Sequence, residues 1–139
     1  MAMKFGVFLP NGSNGYIISK AVEPYLPTYH HNLAITQEAE QQGLDFVLSM
    51  MKYKGFGGDT GYWDACLESF TLMSALAAKT KTIGLIPTVT LLSQHPAYIA
   101  RMVSTLDDIS GGPLRLKYCH RLERARVPAN GPLAGRRVL

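Results

Sequence analysis

Three short apolar runs, each followed by a segment with helical periodicity, constrain the fold of this chain more than any other feature. The runs are Lys4–Leu9, Phe46–Met50 and Thr82–Thr90, and they recur about 40 residues apart. Short apolar runs bounded by Gly, Pro or Asn are typical of buried strands. Because parallel strands need a crossover of this length, the spacing predicts an α/β protein with parallel pairing through right-handed crossovers.

The segments between these runs predict three helices. Thr28 is a suitable N-cap for a first helix that runs to about Gln42. The segment Cys66–Lys79 is apolar around most of its circumference and predicts a second, buried helix. Pro96 fits the first turn of a third helix, which we expect to end at Gly111–Gly112.

A doubly wound sheet and a (β/α)8 barrel both begin with such units. The loop Asn11–Gly15 lacks the G-x-G-x-x-G phosphate pattern, and no helix follows it directly. We therefore prefer the barrel, which needs eight units and about 250 residues, whereas this chain supplies three before Gly112. The expected fold class is α/β, namely the N-terminal three β/α units of a (β/α)8 TIM barrel, truncated.

A change of composition follows Gly112. Residues 113–139 hold seven basic residues against the single acid Glu123, a balance of +6, whereas residues 1–112 balance to −2. The positive charge therefore belongs to the tail, and a nucleic-acid partner for the whole chain is not expected. We predict two parts: a barrel segment over residues 1–112 and a basic, irregular tail over residues 113–139.

Other classes of protein are disfavoured by composition. The chain has two cysteines and four histidines without metal-ligand spacing, so neither a disulfide framework nor a metal site is expected. Neither a signal peptide nor an apolar run of membrane-spanning length is present. We expect a cytoplasmic protein that does not bind membranes.

A barrel places its chemistry at the carboxyl ends of its strands, here the loops Pro10–Gly15, Met51–Trp63 and Thr88–His95. The second loop combines glycines with Lys52, which could meet a phosphate or an electron-rich ring, although the same pattern suits a solvated loop. Asp64 and Glu68 would lie four residues apart on one helix. That spacing could pair two carboxylates, but a role for Glu68 at the helix N-terminus is the better interpretation.

Four strings in order, KFGVFLP, FVLSMMKYKGFGG, YWDACLESFTLMSALAAKT and PAYIARMVSTLDDISGG, resemble the flavin-dependent pyrimidine oxygenases of the luciferase-like monooxygenase superfamily. The resemblance covers residues 3–112. It implies a (β/α)8 barrel that takes reduced FMN from a separate NADH-dependent flavin reductase and uses O2 to open the ring of uracil or thymine. It also implies that the full-length family can form homo-oligomers.

The resemblance also implies roles for three residues. Met51 and Lys52 correspond to the FMN-contacting pair after the second strand, and Thr88 corresponds to a catalytic residue of the oxygen pocket. A hydroxyl can hydrogen-bond a bound oxygen species, and a lysine can stabilise charge on a flavin or substrate oxygen. Without the resemblance, Thr88 would be interpreted as an ordinary β-branched strand residue.

The family continues after ISGG into a fourth strand of the type R-F-G-L-N-I-V-T-G-W, where this chain has PLRLKYCHRL and Lys117 stands at the asparagine position. Codons exist for the tail from which deletion of one C gives R-F-G-L-N-I-V-T-G-W-S-A-R-E in another frame. This coincidence favours a one-nucleotide frameshift after Gly112. The fragment itself is then expected to be inactive.

Two alternatives stay open. A related luciferase-like flavin monooxygenase could act on a sulfone or an aminopolycarboxylate instead of a pyrimidine. The chain could also be a non-enzymatic fragment whose basic tail binds nucleic acid or acidic surfaces.

Overall fold

The computed structural model describes residues 3–111 and the backbone of residues 117–119. Strands and helices alternate along the described chain. Their bounds are β1 Gly6–Phe8, α1 Tyr29–Gln41, β2 Phe46–Leu48, α2 Ser69–Ala77, β3 Gly84–Ile86, β4 Thr88–Thr90, α3 Pro96–Ser110 and β5 Lys117–Cys119.

All described strand pairs are parallel, and within each ladder a strand pairs with the one that precedes it along the chain. β1, β2 and β3 form one sheet in that order, with Val7 level with Val47 and Val47 level with Leu85. β4 pairs with β5 in a second ladder. β5 therefore adds beyond the third apolar run, as the next strand of a barrel does. In a doubly wound sheet of the dinucleotide-binding order, the strand after the third unit would instead lie beside the first strand. The expected class, the N-terminal part of a (β/α)8 barrel, is confirmed.

The third apolar run forms two strands and not the single strand predicted over Thr82–Thr90. Pro87 separates β3 from β4. Proline has no N–H to give to a ladder, so pairing with β2 ends at Ile86 and pairing with β5 begins at Thr88.

Of residues 113–139, expected to be irregular, only Lys117–Cys119 are described, and they form β5. The rest of that tail lies outside the described residues. The division at Gly112 therefore stays a prediction.

The helix ends follow local capping chemistry. Thr28 caps α1 by accepting a hydrogen bond from the His31 N–H (3.2 Å), and Gly43 follows α1 with a φ of 73°. Pro96 opens α3 and Gly111 closes it in the left-handed conformation. The positions of Thr28, Pro96 and Gly111 at helix ends are as predicted, because helix ends depend on neighbouring residues.

The hydrophobic core lies between the sheet and α2. Leu9, Val47 and Leu85 are almost completely buried, and α2 adds Met73 and Leu76. The opposite sheet face carries the row Phe8, Leu48 and Ile86, whose members are half-buried or exposed. The described residues thus bury the helix-facing side of the sheet more completely than the other side.

Glu40 ties α1 to the segment that enters β3. One carboxylate oxygen accepts hydrogen bonds from the N–H groups of Lys81 (2.7 Å), Thr82 (2.6 Å) and Ile83 (3.0 Å). Burial raises the pKa of Glu40, but the backbone hydrogen bonds, with that of Thr82 foremost, outweigh burial and lower it. A lowered pKa in the folded state means that Glu40 stabilises the fold above the ordinary carboxyl pKa and that this stabilisation is lost as the pH falls.

We expect Glu40→Gln to lower the free energy of unfolding by about 1–2 kcal/mol at pH 7, since charge-assisted bonds are replaced by weaker ones at a partly exposed site. Urea unfolding measures the change. Glu38→Gln is the matched control, because Glu38 is an exposed carboxylate on the same helix that accepts a hydrogen bond from the Gln42 side-chain amide. The difference between wild type and Glu40→Gln should shrink in acid, and equal unfolding midpoints at pH 7 would contradict the assignment.

Candidate active site

Asn11 fixes the loop after β1 to the end of β2. Its amide oxygen accepts a hydrogen bond from the Met50 N–H (3.0 Å), and its amide nitrogen donates to the carbonyls of Met50 (2.9 Å) and Leu67 (3.0 Å). The residue is completely buried. One side chain therefore satisfies three backbone groups and joins two strand ends to the segment that enters α2.

Aromatic side chains of the second loop pack against the first loop. The Trp63 indole donates a hydrogen bond to the Gly15 carbonyl (2.7 Å), and its ring stacks on Tyr62 with centroids 4.8 Å apart. A Cβ at Gly12 would lie 2.9 Å from the Trp63 ring and closer still to Met50. Glycine at position 12 therefore permits the close approach of the two loops.

Lys52 is held by aromatic faces of its own loop. Its Nζ lies 2.9 Å from the centroid of the Phe56 ring and 4.8 Å from that of Trp63. Such contacts are cation–π interactions, which are strongest where the cation is partly desolvated. Lys52 is half-buried, so the second loop keeps a positive charge beside the end of β2.

Cys66 lies near this charge. Burial raises the pKa of the Cys66 thiol to about 11, although the positive charge of Lys52 acts in the opposite direction. The thiol is therefore neutral at physiological pH, and a structural role suits it better than a nucleophilic one.

Thr88 is buried at the start of β4. Its hydroxyl donates a hydrogen bond to the Ser49 carbonyl (2.6 Å), and its N–H donates to the Ser69 hydroxyl (2.8 Å). The hydroxyls of Ser49 and Ser69 are 2.5 Å apart. Because the Thr88 proton is engaged with Ser49, the remaining capacity of its oxygen is to accept a hydrogen bond.

Three hydroxyls meet at the end of β4, and we call them the strand-end hydroxyl cluster: Tyr53, Thr90 and Ser93. The Tyr53 hydroxyl lies 2.8 Å from that of Ser93 and 3.2 Å from that of Thr90, and Thr90 and Ser93 are hydrogen-bonded to each other. The Met51 sulfur is 4.0 Å from the Thr90 hydroxyl. The cluster therefore connects the loop after β2 with the loop after β4.

The preferred interpretation of Glu68, a role at the N-terminus of α2, is confirmed, and the alternative pairing with Asp64 on one helix is not found. Asp64 lies before α2, where it accepts a hydrogen bond from the Gly57 N–H (2.9 Å) within the loop. Glu68 is the N-cap of α2 and accepts from the N–H groups of Phe70 (3.0 Å) and Thr71 (2.7 Å). Because Glu68 is the cap, α2 starts at Ser69 and not at Cys66. The four-residue spacing of Asp64 and Glu68 therefore does not place them on one face of a helix.

The structure brings the three strand-end loops together, with the first loop against the second and the second against the third. Met51 lies near β4, while the ammonium of Lys52 lies on the aromatic side of its loop. Sequence reasoning missed Asn11 and the strand-end hydroxyl cluster. In the sequence, Asn11 resembles an ordinary turn residue. For the cluster, the spacing of Thr88 and Thr90 indicates that two hydroxyls share one face of a strand.

The second loop fits an anionic, planar cofactor such as a flavin nucleotide. Lys52 supplies a cation next to aromatic faces. Gly57 and Gly58 have positive φ values, and a Cβ on either would meet no atom within 4 Å, so their backbone is open to approach. Within the described residues no group of three His, Cys, Asp or Glu side chains is placed to hold a metal ion, and no helix there is long and apolar enough to cross a membrane.

These features define the first units of a parallel (β/α)8 barrel whose loops at the carboxyl ends of the strands lie together. Residues 3–117 match the family described as luciferase-like monooxygenase. The chain belongs to the luciferase-like monooxygenase family.

Curated relatives of this chain include pyrimidine monooxygenases. The chain is 56% identical over 110 residues to the pyrimidine monooxygenase RutA of Cronobacter turicensis, an alignment covering 79% of this chain and 29% of the relative. It is 54% identical over 111 residues to the pyrimidine monooxygenase RutA of Methylorubrum extorquens, covering 80% of this chain and 30% of the relative. The chain thus spans about 30% of the length of these relatives.

Solved structures share the fold. EDTA monooxygenase from Chelativorans sp. BNC1 superposes with a TM-score of 0.74 at 13% identity, covering 91% of this chain and 30% of its own. Riboflavin lyase, solved with modified FMN and riboflavin, gives a TM-score of 0.71 at 24% identity, covering 86% of this chain and 30% of its own. At these identities the likeness establishes the fold alone.

Proposed function

We propose that this chain is the N-terminal part of a flavin-dependent monooxygenase that uses O2 to open the ring of uracil or thymine. The observation that carries the proposal is the identity of 54–56% to pyrimidine monooxygenases over about four fifths of the chain. The geometry of the strand-end loops supports it, because a cation, aromatic faces and open glycine backbone lie together in the second loop.

FMN is the proposed cofactor, and a flavin reductase is the proposed partner that supplies it in reduced form. Met51 and Lys52 would contact it, and the Lys52 ammonium, which packs on the Phe56 and Trp63 rings, would turn from them towards the phosphate or an oxygen of the flavin ring. When bound, reduced flavin supplies the electrons that activate O2. A homo-oligomer and a cytoplasmic location are part of the same proposal.

Thr88 is proposed as the residue of the oxygen pocket. Its side chain lies at the start of β4 beside the end of β2, close to the segment that would hold the flavin. Its hydroxyl oxygen can accept a hydrogen bond from a protonated oxygen species while its own proton stays on the Ser49 carbonyl. Thr88 is buried, with 5% of its surface exposed.

We further propose that the reading frame changes after Gly112. The alignments to the curated relatives cover 110–111 residues and the family match ends at residue 117, close to the point where the basic tail begins. Restoring the frame gives the product in which the activity resides, because the 139 residues alone span about 30% of a relative's length. The charge of the tail then has no role in catalysis.

The substrate is tested with the frame-restored product, FMN, NADH and a flavin reductase. We expect O2-dependent loss of uracil absorbance and no turnover of a dialkyl sulfone or an aminopolycarboxylate, since these lack the ring amide that is cleaved. Product formation is followed by mass spectrometry, with reductase alone as the blank. Turnover of the sulfone or aminopolycarboxylate without uracil loss would favour the related monooxygenase instead.

A further inference from the structure

The proposed contacts with the cofactor and with oxygen do not involve the hydroxyls of the strand-end hydroxyl cluster. Thr90 is 3% exposed, whereas the Tyr53 side chain is 40% exposed with its hydroxyl turned to Thr90 and Ser93. The cluster joins residues 37 and 40 positions apart. These hydrogen bonds therefore connect two separate strand ends.

The connection reaches the flavin-contacting segment directly. Tyr53 follows Lys52 in the chain, and the Met51 sulfur lies 4.0 Å from the Thr90 hydroxyl. Lys52 between them is turned to Phe56 and Trp63. The segment Met51–Tyr53 is thus held at both flanking residues by β4 while its central cation faces the loop.

Thr90 also has a defined place relative to Thr88. Residues two apart on a strand point to the same face, and Val89 between them belongs to the hydrophobic core beside the helices. Thr88 and Thr90 therefore share the opposite face, with Thr90 nearer the carboxyl end. A tether at Thr90 therefore holds the Met51–Tyr53 segment to β4 two residues beyond the proposed oxygen-pocket residue.

From this geometry we infer that Tyr53 is a positioning residue, whose hydroxyl sets the distance between the flavin-contacting segment Met51–Lys52 and β4. The inference deepens the proposed function and rests on it for the identity of the ligand. The placement of the segment is a property of the polypeptide, which can be measured without flavin.

The test compares Tyr53→Phe with Tyr98→Phe in the full 139-residue chain. Tyr98 is an exposed tyrosine on α3, 61% exposed, and serves as the matched control. Loss of one hydrogen-bonded hydroxyl should accelerate amide hydrogen exchange over residues 51–55 by about fivefold in Tyr53→Phe, and leave exchange in β1 unchanged. Trp63 is the sole tryptophan, so a shift of its emission reports the same loop.

A mutant cycle with Ser93→Ala separates a tether from a general loss of stability. If Tyr53 acts through Ser93, the effects of the two changes on exchange should be less than additive, because both remove the Tyr53–Ser93 hydrogen bond while each also removes a bond to Thr90. Additive effects, or identical exchange in Tyr53→Phe and Tyr98→Phe, would overturn the inference.

FMN binding is measured with the frame-restored product. Tyr53→Phe should weaken FMN binding about fivefold, with Tyr98→Phe unchanged. Faster exchange at residues 51–55 combined with an absence of FMN binding in the wild-type product would reject the proposed function and leave the tether intact. Faster exchange with unchanged FMN affinity would reject the positioning role.

Discussion

Asn11→Asp should lower the free energy of unfolding by at least about 3 kcal/mol at pH 7, the largest effect of a single change expected in this chain. The substitution keeps the size of the side chain and replaces a donor with an acceptor. Two carbonyls, those of Met50 and Leu67, would then face a carboxylate oxygen in a fully buried site. Neither repulsion nor desolvation can be relieved by water there.

The effect should depend on pH with a definite sign. A carboxyl group in this site has a raised pKa, because burial and the neighbouring carbonyls disfavour its charge. The penalty is therefore largest at neutral pH and becomes smaller in acid, where the protonated group can donate to one carbonyl.

Chemical unfolding of Asn11→Asp across pH measures both effects. Gln41→Glu makes the same amide-to-carboxyl change at an exposed position of α1 and should alter stability by no more than about 0.5 kcal/mol. Trp63 emission should also change in Asn11→Asp, since its ring packs at Gly12 next to the displaced loop. Stability equal to that of the Gln41→Glu control would contradict the central role of Asn11.

Local sequence patterns predicted the elements of this fold well. Thr28, Pro96 and the glycine after α3 marked helix ends because capping depends on residues a few positions away. The start of α2 was placed too early, at Cys66, because the apolar pattern extends past the point where Glu68 caps the helix. Pro87 was placed within one strand, although its missing N–H separates two ladders.

The site was less accessible to sequence reasoning. The barrel topology correctly placed its loops at the carboxyl ends of the strands. The contacts that assemble them, from Asn11 to Met50 and from Tyr53 to Ser93, join residues about 40 positions apart. No periodicity carries such information, because the contacts depend on the strand register and on how each loop turns.

The reading frame beyond Gly112 should determine whether the protein product binds FMN. We expect the purified 139-residue polypeptide to retain no FMN after desalting and to leave uracil unchanged when supplied with a flavin reductase. On the proposed function, the remaining flavin contacts would come from the fourth strand and later units, where the resemblance to the family implies an asparagine at the position of Lys117. A polypeptide limited to the first units holds only the Met51–Lys52 part of such a site.

The frame-restored product should bind FMN and open the uracil ring. After desalting, flavin absorbance should therefore remain with the frame-restored product and be absent from the 139-residue chain. A chain cut after Gly112 is the matched control, and it should behave as the 139-residue chain does if the basic tail has no function. Resequencing the gene across the Gly112 codon gives an independent check. Tight FMN retention by the 139-residue chain would contradict its expected inactivity, and a gene without the alternative frame R-F-G-L-N-I-V-T-G-W would reject the frameshift.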